Sequence, residues 1–216
     1  MVAVDWILRR GFNRSNEVYL NGPWRRGLDV FVAFGLLVAL APVMLGIAVG
    51  TLLTSRGPIF FRQLRTGRDM RTFELLKFRS MRCDGPDDGM VQQATRDDPR
   101  VTRFGRFLRA SSLDELPQLI NVIKGEMSMV GPRPHAIEHD EYYAELIPNY
   151  QSRFRARPGL TGLAQVNGAR GGTPQLEDMQ RRVDLDITYL ENATLKLDCL
   201  IFVQTFREVF GSRSAY

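Results

Sequence analysis

Residues 28–53 read LDVFVAFGLLVALAPVMLGIAVGTLL, and how this stretch meets its surroundings decides the fold. Asp29 is its only charge, and its length is about what an α-helix needs to cross a hydrocarbon core. The run begins late, is too long for the apolar part of a signal peptide, and is followed by Thr54-Ser55-Arg56 without a small-residue cleavage site. It is therefore expected to stay in the chain as a membrane segment. Arg9, Arg10, Arg14, Arg25 and Arg26 precede it, and Arg56, Arg62, Arg65, Arg68 and Arg71 follow it, so both flanks carry the charge of a cytoplasmic side. Pro42 removes one backbone donor near the middle. Together these features favour a re-entrant helix that enters, bends at Ala41-Pro42 and returns, over a spanning helix with a proline kink.

Outward from this segment, the chain divides into residues 1–27, 28–55 and 56–216. The first part mixes Trp6, Ile7, Leu8, Phe12, Tyr19 and Trp24 with arginines, a composition suited to the bilayer interface. The third is the expected cytoplasmic catalytic domain, and 216 residues at 44% hydrophobic are enough to give it a core. Residues 1–71 hold ten arginines against Asp5, Glu17, Asp29 and Asp69, so the net charge of +5 is concentrated around the apolar run. Anionic lipid is a simpler partner for that surplus than nucleic acid, which is not expected to bind. Cys83 and Cys199 have neither metal-ligand spacing nor a partner cluster, which argues against a zinc site and a disulfide framework.

Beyond the membrane segment, Ile59–Phe61 and Thr72–Phe78 form an expected small β-hairpin after the Gly57-Pro58 turn. Residues 82–100 are polar and aperiodic, as in a surface loop. Helical periodicity resumes over 101–110, 113–123, 136–146, 176–192 and 197–210. The fold class is α/β and mostly helical, with interfacial amphipathic helices beside the re-entrant one. The last helical stretch, apolar on most sides, reads equally as a core helix and as one lying along the membrane.

The chemistry centres on Ser111-Ser112-Leu113-Asp114-Glu115-Leu116-Pro117. Ser112 and Glu115 have capping-box spacing, which would account for Glu115 but not for Asp114. Two adjacent carboxylates at a helix start lie where a carboxylate, a divalent cation and a diphosphate can meet. Lys77 and Arg79 in KFRSM, Arg109, and Arg133 in Gly131-Pro132-Arg133-Pro134 stand around this pair in the sequence, each alone an ordinary surface charge. Pro132 and Pro134 fix the backbone about Arg133 and would aim its guanidinium. Residues 157–168, RPGLTGLAQVNG, offer a close backbone approach with Gln165 and Asn167 nearby, as a nucleotide wall or merely a turn.

KFRSM, SSLDELPQLINVIKGEMSMVGPRP and RPGLTGLAQVNG, in this order behind a proline-broken apolar run, resemble the bacterial sugar transferase family, the monotopic phosphoglycosyl transferases. The resemblance covers nearly the whole chain from about Arg25. PRPHAIEHDEYY and RVDLDITYLENATLKLD look most like members that transfer glucose 1-phosphate to undecaprenyl phosphate in exopolysaccharide synthesis. It implies a UDP-sugar donor, with glucose or galactose as the sugar, a polyprenyl phosphate acceptor, and a site on the cytoplasmic side of the bacterial inner membrane. It also implies that Asp114 attacks the sugar-bearing phosphorus and that Glu115 assists, with Mg2+ held by Asp114 and Glu115. Lys77, Arg79, Arg109 and Arg133 would hold phosphate oxygens, Pro132, Gln165 and Asn167 would line the substrate, and Asp186 in the pattern Asp186, Tyr189, Asn192 would support the site. One departure is Ala41-Pro42 where the family often has Ser-Pro, so no hydroxyl is available there to satisfy the freed carbonyls. The chain is short, without the added N-terminal helices of longer relatives, which implies a minimal catalytic unit. Self-association is left open.

Two weaker patterns compete. His135 and His139 are spaced to share a helical face but lack a third ligand. Asp184-Leu185-Asp186 has the metal-binding form of many nucleotide-sugar glycosyltransferases, an alternative that would release UDP where the main reading releases UMP. A non-catalytic membrane-anchored assembly module, with Asp114-Glu115 as a simple cap, is the other alternative.

Overall fold

The structure, a computed structural model, describes residues 14–82, 98–169, 171–173 and 175–211. The first 13 residues of the expected interfacial segment, 83–97 of the expected polar loop and 212–216 lie outside that set. A short helix α1 (Arg14–Asn21) leads through Gly22 into α2 (Pro23–Thr54), with Pro23 in the first turn, where its missing N–H costs no bond. Helix α2 begins earlier than the apolar run and continues through Pro42 to Thr54. Among the described residues, one helical stretch is long and apolar enough to cross a membrane, and it contains α2.

The buried residues of α2 fall into two groups, Arg25, Asp29 and Ala33 near its start and Ile47 and Thr51 near its end. At the first group, Asp29 accepts from Ser128 Oγ at 2.7 Å and from the Met129 amide at 3.0 Å, while Arg25 donates to the Val130 carbonyl. At the second, Ile47 packs with Phe78 and Leu108. Gly50 lies so close to the Phe104 ring that a Cβ there would sit 2.6 Å from it. Both ends of the helix thus rest on one protein body, while Phe34, Val38, Val43 and Leu45 between them are exposed.

The expected hairpin forms, with β1 (Phe60–Thr66), which runs well past the expected 59–61, antiparallel to β2 (Thr72–Phe78), which lies where it was expected; the chain turns through Asp69 and Met70 in left-handed conformation. Helix α3 (Arg103–Ser111) starts where Thr102 Oγ1 accepts from the Gly105 amide at 2.8 Å. The helix expected over 113–123 is instead two pieces. Leu113–Glu115 is a single 3-10 turn, and α4 (Gln118–Lys124) follows only after Pro117, which cannot donate the amide that would join them. Gly125, at φ +92°, ends α4.

A second, parallel pair, β3 (Ser128–Val130) with β4 (Gly159–Thr161), runs through the middle of the molecule. Its strands approach at Gly131 and Gly159, where an added Cβ on Gly159 would lie 2.0 Å from the Gly131 nitrogen. Helix α5 (Ile137–Leu146), a short α6 (Leu163–Val166), α7 (Leu176–Asn192) and α8 (Leu195–Gly211) complete the body. The main core gathers Leu20, Ala33, Leu75, Leu119, Met127 and Tyr189 with Leu197 and Ile201 of α8. Helix α8 therefore has a core face, while Leu200, Val203 and Phe206 stay exposed.

Candidate active site

Asp114 and Glu115 sit side by side on the 3-10 turn, both buried. Ser112 adopts a left-handed conformation and makes no side-chain cap, so the capping explanation of Glu115 fails. Glu115 is held instead by residues from two other parts of the chain. Lys77 Nζ, from β2, donates to Oε1 at 2.8 Å; Arg133 Nη2 donates to the same oxygen at 2.7 Å and its Nη1 to Oε2 at 3.3 Å. Burial works against the Glu115 charge, but Arg133 and Lys77 outweigh it and hold the carboxyl well below the usual glutamate range.

Asp114 behaves oppositely. Burial pushes its carboxyl up to about 6, Lys77, Arg109 and Arg133 pull against that rise, and the charge on Glu115 adds to it. Two neighbouring acids are thereby separated, one clamped and biased toward its ionised form, the other raised toward neutral pH. That split is what a nucleophile with a fixed electrostatic neighbour requires.

Arg133 is positioned from behind. Arg153 Nη2 donates to its backbone carbonyl at 2.6 Å, and Arg153 Nε donates to Asp186 Oδ2 at 2.9 Å. Asp186, on α7, is 1% exposed, so it reaches the site only through Arg153. Around Arg153, its Nη1 donates to the Tyr150 hydroxyl at 2.9 Å, which in turn donates to Asp140 at 2.7 Å. His135 lies within this network, and burial together with Arg153, Arg182, Arg65 and Arg133 keeps its imidazole neutral. Nothing in the sequence pattern marked Arg153, one arginine among many, or Asp140.

Other expected ligands are placed differently. Arg79 is buried at the far end of α2, donating to the Ser55 hydroxyl at 3.2 Å, to the Ser55 carbonyl at 2.6 Å and to the Pro58 carbonyl. These bonds fix where α2 ends and commit Arg79 to that junction in the structure. Arg109, half-buried on α3, contributes its field to Asp114. Pro132 is buried, and its carbonyl accepts from the Gly159 amide at 2.9 Å, tying the Arg133 segment to β4.

Gln165 and Asn167 lie on and just beyond α6, which begins where Gly162 presses on the Gly131 carbonyl. Asn167 Nδ2 is turned back to the Leu163 carbonyl at 2.8 Å, whereas Gln165 Oε1 is buried with no hydrogen-bond partner among the described residues. Asp184 is exposed and accepts from Gln180 at 2.8 Å while Asp186 points inward to Arg153, so the two do not form a chelate. His135 is committed to its buried network and His139 stacks edge-on against Tyr143, so this pair is not a ligand set either.

Among the described residues no group of three or more His, Cys, Asp or Glu gathers as a metal site. Mg2+ commonly binds through one or two carboxylates and completes its shell with substrate phosphates and water. The Asp114–Glu115 pair fits that sparse mode in part: Glu115 already accepts three bonds from Lys77 and Arg133, which leaves Asp114 the less committed donor.

The profile of the bacterial sugar transferase family matches residues 20–212. The UDP-glucose:undecaprenyl-phosphate glucose-1-phosphate transferase of Xanthomonas campestris pv. campestris is 50% identical over 188 residues, 87% of this chain and 39% of its own length. The protein of the same description from Caulobacter vibrioides is 50% identical over 194 residues, 89% of this chain and 72% of its own. The exopolysaccharide production protein PSS of Rhizobium leguminosarum bv. phaseoli is 42% identical over 184 residues, covering 84% of this chain and 92% of that one. The chain thus spans less than half of some relatives and nearly all of another.

Proposed function

Because the chain belongs to the bacterial sugar transferase family, we propose that it transfers a sugar 1-phosphate from a UDP-sugar to undecaprenyl phosphate, with UDP-glucose the donor its relatives' names favour. The observation that carries this is the divided pair: Glu115 clamped by Lys77 and Arg133, with Asp114 beside it near the pH at which a carboxylate is available for attack.

In this reading an Asp114 oxygen attacks the sugar-bearing phosphorus of the donor. The bond from that phosphorus to the bridging oxygen breaks, UMP leaves, and the phosphosugar stays on the carboxylate as an acyl phosphate. An oxygen of the lipid phosphate then attacks the same phosphorus, and the Asp114 carboxylate is regenerated. Lys77, Arg109 and Arg133 supply positive field where phosphate charge accumulates, and Arg153 keeps Arg133 from drifting away from Glu115. Mg2+ held by Asp114 and the substrate's own oxygens would neutralise diphosphate charge. A sugar-only transferase built on Asp184 and Asp186 loses support from their opposite orientations.

A lipid acceptor requires the site to stand at the membrane boundary. The re-entrant placement of α2 in the inner membrane, with the body on the cytoplasmic side, is supported by its two buried ends on one body and its exposed apolar middle. The exposed Leu200, Val203 and Phe206 of α8 fit an interfacial helix of the same body.

The test is to incubate the purified protein with UDP-glucose, labelled in the glucose, and undecaprenyl phosphate. Lipid-linked glucose phosphate with stoichiometric UMP is expected. UDP as the product would overturn the reaction, and donor alone should leave label on the polypeptide. For topology, cysteines introduced at residues 26 and 56 should be labelled from the same side of sealed vesicles, and opposite-side labelling rejects re-entrance.

A further inference from the structure

Arg65 belongs to the flanking arginines of the sequence, and nothing in the pattern singles it out. In the hairpin register Phe61 pairs with Lys77, Gln63 with Leu75 and Arg65 with Phe73. Cross-strand partners share a face, and so do alternate residues, so Arg65, Gln63 and Lys77 all project on the same side of the hairpin. That is the side on which Lys77 meets Glu115. The Arg65 guanidinium donates through Nη2 to Gln63 Oε1, which draws it back along the strand in the direction of Lys77. Its backbone pairs with Ala136, three residues beyond Arg133. Arg65 therefore lies on the hairpin face that carries Lys77, with its backbone bridged to the segment that follows Arg133.

The charges that bear on it are Arg133, Asp140, Glu115 and Glu138. Glu115 is already taken by Lys77 and Arg133, and Asp140 accepts the Tyr150 hydroxyl at Oδ1 while its Oδ2 is buried with no hydrogen-bond partner among the described residues. Arg65 Nε is buried and has no hydrogen-bond partner among the described residues. Burial and the neighbouring Arg133 bring its guanidinium down to about 10, while Asp140, Glu115 and Glu138 pull the other way. A guanidinium fork matches two oxygens of a phosphate, and two guanidiniums flanking one anion cease to repel.

We infer that Arg65 is a further phosphate-binding residue of this site, sharing with Arg133 an oxyanion of the incoming substrate. This rests on the phosphoryl-transfer reading for the identity of the anion, which is either the donor's diphosphate or the acceptor's lipid phosphate.

The experiment compares the wild-type full chain in nanodiscs with R65Q, R65K and R62Q, measuring the affinity of UDP and, separately, of undecaprenyl phosphate. Arg62 is on the opposite face of the same strand, exposed and paired with Glu74, so R62Q reports any general effect of lost charge. R65Q should weaken one of the two ligands about tenfold or more, with R65K intermediate and R62Q changing either by less than about twofold. Weaker UDP assigns the anion to the donor; weaker undecaprenyl phosphate assigns it to the acceptor. Should R65Q fail to fold, R65K carries the test, since it keeps the charge and loses the fork. Wild-type affinity for both ligands in whichever variant is folded overturns the proposal, as does an equal loss in R62Q. If wild-type protein binds these phosphates but makes no lipid-linked product, the reaction assigned above fails and the anion site stands.

Discussion

Replacing Asp114 with Asn should stabilise the protein while abolishing transfer. The carboxyl is raised from 3.8 to about 6, chiefly by burial, so the folded state holds the ionised form less well than the unfolded chain does. At about 1.4 kcal/mol per pH unit, the ionised side chain costs the fold roughly 2–3 kcal/mol at pH 8. A group raised in this way adds stability that is complete below its unfolded value and lost as pH rises through the folded one, here between about pH 4 and 6. Asn keeps the shape and never ionises, so it should remove that loss.

For a chain of this size each kcal/mol moves the melting temperature by about 2–4 °C, which predicts that D114N melts about 4–12 °C higher at pH 8. At pH 4, where the wild-type carboxyl is protonated, the two proteins should melt within about 2 °C of each other. Thermal scans in detergent from pH 4 to 8 measure this directly. The same variant should lose transfer by roughly 10³-fold or more if the carboxylate is the attacking group. A D114N protein that melts no higher than wild type at pH 8, or whose advantage does not shrink toward pH 4, refutes the burial argument whatever its activity.

Glu115→Gln leaves Lys77 and Arg133 sharing a neutral partner, and a loss of about 2–3 kcal/mol is expected at pH 8 by denaturant titration. Because the Glu115 carboxyl is depressed, that stabilisation is present above about pH 4.5 and fades as pH falls through the folded value, so the gap between variant and wild type should narrow in acid. Asp186→Asn removes the charge beside fully buried Arg153 and should cost about 3 kcal/mol, together with a fall in transfer as Arg133 loses its brace; thermal melts and turnover check both. Gly159→Ala places a methyl against the Gly131 backbone and should destabilise by about 1–3 kcal/mol, read as a lower melting temperature.

Local pattern carried the elements whose periodicity is strong. Helix α7 occupies the expected 176–192, opened by Gln175 and Asp178 in a reciprocal cap, and β2 occupies the expected 72–78. The parallel pair of β3 and β4 escaped because each strand has three residues and their partnership spans the helix and turn between them, leaving no alternation to count. Lys77 and Arg79 are two apart and would share a face if the strand continued. β2 ends at Phe78, however, and Arg79 turns instead to the end of α2. The acidic pair was legible because it is contiguous, whereas Arg153 and Arg65 act through contacts made only when distant segments meet.

Asp114 and Glu115 are consecutive and equally acidic in isolation, so their divergence has to come from what folding brings to each. Glu115 receives three direct charge-assisted bonds, one from β2 and two from the segment after β3, while Asp114 feels the same cations only through their field. Removing Arg133 would therefore do more than loosen a ligand. It would free Glu115 to compete with Asp114 for Lys77 and for any bound cation, and the separation between a poised acid and an anchored one would narrow. Since Arg133 is held by Arg153, and Arg153 by Asp186, the ionisation of the candidate nucleophile depends on a carboxylate on α7 that is 1% exposed. The site is thus tuned from the interior of the fold rather than from its surface, which is why substitutions on α7 should alter the pH profile of transfer and not only its rate.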